Sequence, residues 1–69
     1  MVPVTLQING EARSFERELT VQELLHVLAV QVPAFVVELN RSIVPKSAYI
    51  TQRLNDGDRI EIVTFVGGG

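Results

Sequence analysis

The feature that most narrows the fold is Asn9-Gly10, set between two short stretches with strand periodicity. Both residue types accept a positive φ, so the pair is the strongest short-range signal for a two-residue hairpin. Before it, Val2, Val4, Leu6 and Ile8 fall on one side of an alternating run, and Thr5 and Gln7 on the other. That is the period of a half-buried strand. Pro3 is tolerable because it stands at the strand's start, where a missing N–H matters least. After the turn, Glu11 to Glu16 forms the returning strand, with Ala12, Ser14 and Glu16 opposing Arg13 and Phe15. Its weaker pattern suits an edge. A chain that opens this way needs something to cover the apolar face of its hairpin.

The cover is a helix. Thr20 is the expected N-cap, and Glu23, three residues on, completes a capping box. Leu19 occupies the hydrophobic-staple position just before the cap. Val21, Leu24, Leu25 and Leu28 recur at helical spacing and make one apolar stripe. Val30, Val32 and Pro33 mark the helix end, since the residue before a proline avoids helical geometry. His26 lies off the stripe and belongs to the solvated side.

Phe35 to Asn40 predicts a third strand, with Phe35, Val37 and Leu39 facing one way and Val36 and Glu38 the other. Asn40-Arg41 turns the chain into a short extended piece, Ile43-Val44, which Pro45 ends. Lys46 to Leu54 carries little pattern; Tyr49 or Ile50 covers an open edge of the core, and Leu54 fills a gap. Asn55-Asp56-Gly57-Asp58 is a turn. The last strand, Arg59 to Phe65, has Ile60 and Ile62 on one face and Glu61, Val63 and Phe65 on the other. The order strand, strand, helix, strand, short strand, strand predicts an α+β roll. This is the β-grasp arrangement of ubiquitin: a mixed sheet of four to five strands with one main helix across one face. In that fold the first and last strands lie side by side in the centre. We expect one such domain over residues 1–66 and a flexible glycine tail over 67–69.

Composition narrows the chemistry. A chain of 69 residues buries only roughly 60% of its unfolded surface, so the core is thin. It has no cysteine and one histidine, which leaves no disulfide, no thiol chemistry and no metal site. The net charge is −2 and the six basic residues are scattered, which argues against a nucleic-acid partner. No apolar run approaches a membrane span, and the start lacks the basic and apolar regions of a secretory signal. The expectation is a soluble, cytoplasmic domain. Asp56 and Asp58 flank a glycine in a tight turn, which suits a turn far better than paired acid–base or metal-ligating carboxylates.

The sequence ends Phe65-Val66-Gly67-Gly68-Gly69. Three glycines have no side chains to bury and cost the most backbone entropy to order. The plain reading is a frayed end. The other is a segment slim enough to enter a narrow slot and present a bare α-carboxylate, and the amphipathic strand running straight into it favours this second reading. By strand parity Val63 and Phe65 face outward, with Val36 on another strand. Together with Val66 they make a candidate partner-docking patch beside the tail; scattered surface exposure is the bland alternative.

At this point the sequence resembles the small sulfur-carrier proteins of thiamin biosynthesis, the ThiS type. The resemblance is carried by Leu6-Gln7-Ile8-Asn9-Gly10-Glu11, by Thr20-Val21-Gln22-Glu23-Leu24-Leu25, and by Val37-Glu38-Leu39-Asn40 followed by Ile43-Val44-Pro45-Lys46. Asp56-Gly57-Asp58-Arg59-Ile60-Glu61-Ile62 and the glycines complete it. Arg41 departs from the more usual glycine, so the mid-chain turn is either wider or strained. The resemblance implies a carrier with no catalytic residues of its own, acting as a covalent substrate of partner enzymes. Gly69 would be adenylated by a ThiF-like adenylating enzyme using ATP with magnesium. A persulfide-bearing sulfur donor would convert it to a thiocarboxylate, and a ThiG-like thiazole synthase would take the sulfur. Gly67, Gly68 and Gly69 would enter the partners' active sites. Three alternatives stay open: a MoaD-type carrier for molybdopterin synthesis, a ubiquitin-like protein modifier, and a non-covalent binding module.

Overall fold

Alternation in the first fifteen residues does produce a hairpin. The computed structural model describes residues 2–65. Within it β1 (Val4–Ile8) and β2 (Glu11–Phe15) pair antiparallel around Asn9 and Gly10, both at positive φ. Val4, Leu6 and Ile8 point into the core, and Thr5 and Gln7 face solvent.

A two-residue strand, β3 (Leu19–Thr20), leads directly into α1 (Val21–Val27). The capping box forms as expected. Glu23 N–H donates to Thr20 Oγ1 at 3.2 Å, and Thr20 N–H donates to Glu23 Oε1 at 2.9 Å, so two backbone donors at the helix start are satisfied. Val21, Leu24 and Leu25 are buried. The helix ends at Leu28, earlier than Pro33 suggests, through a Schellman turn. Ala29 N–H donates to His26 C=O and Val30 N–H to Leu25 C=O, with Ala29 at φ 54°.

The remaining strands are β4 (Phe35–Leu39), β5 (Ser42–Val44), β6 (Arg53–Leu54) and β7 (Arg59–Thr64). The main sheet has five strands in the order β2-β1-β7-β4-β5. β7 pairs parallel with β1 and antiparallel with β4, so the first and last strands are neighbours and the last strand is central. This mixed sheet with one helix is the β-grasp roll that the element order predicts. The stretch between Lys46 and Leu54, where the sequence shows little pattern, holds a 3-10 turn (Lys46–Ala48) and β6. The latter pairs with β3 in a separate two-stranded sheet, Leu19 opposite Leu54. Tyr49, not Ile50, closes the core edge: Tyr49 is buried and Ile50 exposed.

The core is apolar. Leu6, Leu54 and Ile60 are fully buried, with Val4, Val21, Leu24 and Val37 nearly so, and among the described residues no polar or charged side chain is buried. The Asn40-Arg41 turn is tight, because Leu39 pairs with Ser42. Arg41 therefore sits at φ 73°, in the region that favours glycine. The departure at Arg41 is thus met by backbone strain and not by a wider loop.

Candidate functional site

The candidate site is the far end of β7 and the outer sheet face beside it. Three amide or carboxylate side chains fix where β7 begins and how it runs. Asn40 Oδ1 accepts from Arg59 N–H at 2.9 Å, and Asn40 Nδ2 donates to Asp58 Oδ1 at 3.1 Å. Asp58 Oδ2 accepts from Asn55 N–H at 2.7 Å, which makes the Asp-Gly-Asp segment a structural turn. On the other flank Asn9 N–H donates to Ile60 C=O at 2.9 Å, and Asn9 Oδ1 accepts from Ile62 N–H at 2.7 Å. The hairpin asparagine thereby carries the parallel ladder one step past the end of β1.

Strand parity puts Arg59, Glu61, Val63 and Phe65 on the face away from the helix. The register turns this into neighbours: Val36 lies opposite Val63, and Glu38 opposite Glu61. Phe65 N–H donates to Ala34 C=O at 3.1 Å, so pairing persists to the last described residue. Val63 and Phe65 are exposed, Phe65 at 53%, and Val36 is half-buried. The structure thus brings Val36, Val63 and Phe65 together on one surface. Val66, Gly67, Gly68 and Gly69 lie outside the described residues.

Two features of this face were not singled out from sequence. Ile43 stands opposite Glu38 on β5 and is 66% exposed, which extends the apolar patch by a strand. Glu38 and Glu61 are like charges in directly opposed positions, and such pairs destabilise a sheet. Parity alone could have put each on the outer face, but their pairing depends on register. Among the described residues the only ion pair is Arg17–Glu23, at 3.3 Å on the helix side, although Arg59 shares the glutamates' face. Phe65 also helps line a groove of about 330 Å3 with Val36, Ile43, Pro45, Lys46 and Tyr49. No group of acidic, histidine or cysteine side chains able to hold a metal occurs among the described residues, and none of their helices is long and apolar enough to cross a membrane.

A helix wrapped by a mixed sheet, with the central strand running out beside an exposed apolar patch, defines a ubiquitin-like β-grasp domain. Comparison with known proteins narrows this. The ThiS family profile matches residues 6–69, and the chain belongs to the ThiS family. It is 40% identical over 65 residues to the sulfur carrier protein ThiS of Bacillus subtilis, covering 93% of this chain and 98% of that one. It is 52% identical over 64 residues to a thiazole synthase of Paramagnetospirillum magneticum, covering 93% of this chain but only 20% of that longer protein. The crystal structure of the thiamine biosynthesis protein ThiS from Geobacter metallireducens superposes with a TM-score of 0.83 at 35% identity, covering 96% of this chain and 100% of that one.

Proposed function

We propose that this chain is a sulfur carrier for thiazole formation in thiamin biosynthesis, with the α-carboxylate of Gly69 as the group that bears sulfur. The observation that carries this reading is the family match over residues 6–69, which takes in the glycine run together with the fold. A carboxylate is a poor electrophile until one oxygen becomes a good leaving group. In the proposed sequence a ThiF-like adenylating enzyme joins Gly69 to AMP, using ATP with magnesium and releasing pyrophosphate. Sulfur from a persulfide-bearing donor displaces AMP, and a thiol cleaves the acyl disulfide to leave the thiocarboxylate. A ThiG-like thiazole synthase then accepts the sulfur. The nucleophile, base and nucleotide site all belong to partners, so this chain works in the cytoplasm as a covalent substrate and not as an enzyme.

The chain's own contribution is geometric. β7 is flanked by β1 near its start and paired with β4 from Ile60 to Thr64, with Phe65 bonded to Ala34, which gives the tail a fixed point of departure, and Gly67 to Gly69 lack the Cβ atoms that would widen it. Val36, Val63 and Phe65 give partners an apolar surface where the strand leads toward the tail, and Val66 follows them in the sequence as a further apolar candidate. The thiazole synthase relative, in which a similar domain is part of a longer protein of that name, supports the synthase as receiving partner.

The test is intact mass after incubation with ATP, magnesium, the cognate adenylating enzyme and a sulfur donor. One oxygen-to-sulfur exchange is expected. It should vanish on deleting Gly69 and on extending the chain by one residue beyond it, while the circular dichroism of both variants stays that of the wild type. Full sulfur loading of the extended chain would overturn the proposal. Isopeptide conjugates to cell proteins would favour a modifier, and retention of function without Gly68 and Gly69 would favour a binding module.

A further inference from the structure

We propose that a cleft on the helix side of the sheet binds a small aromatic anion, a flat ring bearing a carboxylate or a phosphate, with Gln22, His26, Lys46 and Tyr49 around the anionic head. The site is separate from the outer sheet face and stands independently of the carrier reading. The cleft has a volume of about 280 Å3 and opens between α1, the start of β4 and the 3-10 turn. Gln22 and His26 are four residues apart and so share one face of the helix. Gln22 N–H donates to Tyr49 C=O at 2.9 Å, which fixes that face against the 3-10 turn, so the cleft is formed in advance of any ligand. Leu25, Val30 and Phe35 supply apolar wall, and no carboxylate lines it.

Tyr49 is the residue that calls for a ligand. It is only 8% exposed and stacks on Phe35, with ring centroids 6.4 Å apart and planes inclined by 17°. None of the side-chain hydrogen bonds among the described residues uses its hydroxyl, although a buried tyrosine ordinarily gives its O–H a partner. Among the described residues no polar side-chain atom is both unpaired and sealed from solvent, so this oxygen opens where the ring lines the cleft. Phe35, Lys46 and Tyr49 also border the Phe65 groove, but only the helix side adds Gln22 and His26 to them. Lys46 belongs to no ion pair among the described residues. An ammonium, a hydroxyl, a carboxamide and an imidazole around one space can all donate to an anion. The apolar wall beside them suits a flat ring, and the volume, near the lower end for ligand pockets, leaves room for one ring and its head group.

The test is an NMR titration of the full chain at constant pH with benzoate and with phenyl phosphate, following backbone amides. Saturable shifts centred on Gln22, His26, Lys46 and Tyr49 are expected, with a dissociation constant on the order of 1 mM; the tighter of the two probes assigns the head group. Tyr49→Phe keeps the stacked ring and should weaken binding roughly three- to tenfold with an unchanged thermal melt. Lys46→Gln, at an exposed position, should weaken it roughly tenfold. Acetate, inorganic phosphate and benzyl alcohol carry the head or the ring alone and should bind at least tenfold more weakly than the better probe. Shifts that never saturate, or that centre on Arg13, Arg53 and Arg59, would overturn the proposal. So would head groups that bind as tightly without the ring, or affinities that neither substitution moves.

Discussion

Among the described residues, four non-glycines hold a positive φ: Asn9, Ala29, Asn40 and Arg41. Asparagine tolerates this region, and both asparagines also use their side chains as acceptors for β7 amides. Arg41 and Ala29 have no such compensation. Arg41→Gly should therefore stabilise the domain by about 0.5–1 kcal/mol, the left-handed penalty less the extra freedom glycine gives the unfolded chain. Ala29→Gly should do the same at the Schellman turn. Thermal melts of the two variants check this, with a rise of a few degrees expected for a chain of this size. The Arg41 strain is visible in sequence as a missing glycine. The Ala29 strain is not, because Pro33 offers a later and more obvious stop.

At the scale of elements, the helix start couples stability to pH. The Thr20 backbone N–H, and after it the Arg17 side chain, hold the Glu23 carboxyl below its ordinary value. A carboxyl lowered in the folded state binds its proton less readily there than in the unfolded chain. Its contribution is complete above the unfolded-chain value and is lost as pH falls through the lowered one. Glu23→Gln still offers an acceptor to Thr20 but does not titrate, so its melting temperature should fall less than that of wild type on acidification through this range. β7 depends on a residue far away in sequence. Asn9→Gly keeps the hairpin's backbone geometry and removes the acceptor of Ile62 N–H. Hydrogen exchange at Ile62 should accelerate, and stability should fall by about 1 kcal/mol.

For the whole molecule the issue is how little reserve a small apolar core leaves. Stability of roughly 0.05–0.15 kcal/mol per residue is comparable with the cost of a single core truncation, about 2–5 kcal/mol. Leu54 is fully buried and pairs with Leu19 within the two-stranded sheet, where both side chains belong to the one apolar core. Leu54→Ala should lower the denaturant midpoint sharply and populate the unfolded state without denaturant, as equilibrium urea titration would show. Sulfur loading of that variant should fall in step with its folded fraction.

Local chemistry determined most of the elements. Asn9-Gly10, the Thr20–Glu23 box and the alternation in β1, β4 and β7 each act within a few residues, so they are legible without neighbours. The outward parity of Val36, Val63 and Phe65 was legible for the same reason, and the element order pointed to the β-grasp roll. Other features rest on contacts between distant segments. The pairing of Leu19–Thr20 with Arg53–Leu54 joins two-residue strands too short to carry a period. The burial of Tyr49 and not Ile50 depends on which side of an irregular turn meets the core. The meeting of Glu38, Glu61 and Ile43 on one face depends on the register of three strands, and register is fixed only when Val37, Val44, Ile60 and Ile62 pack inward together. Sequence by itself determined which way each side chain faces along its own strand. Only the tertiary structure decided which side chains stand next to one another, because that follows from closing a single core around residues distant in the chain.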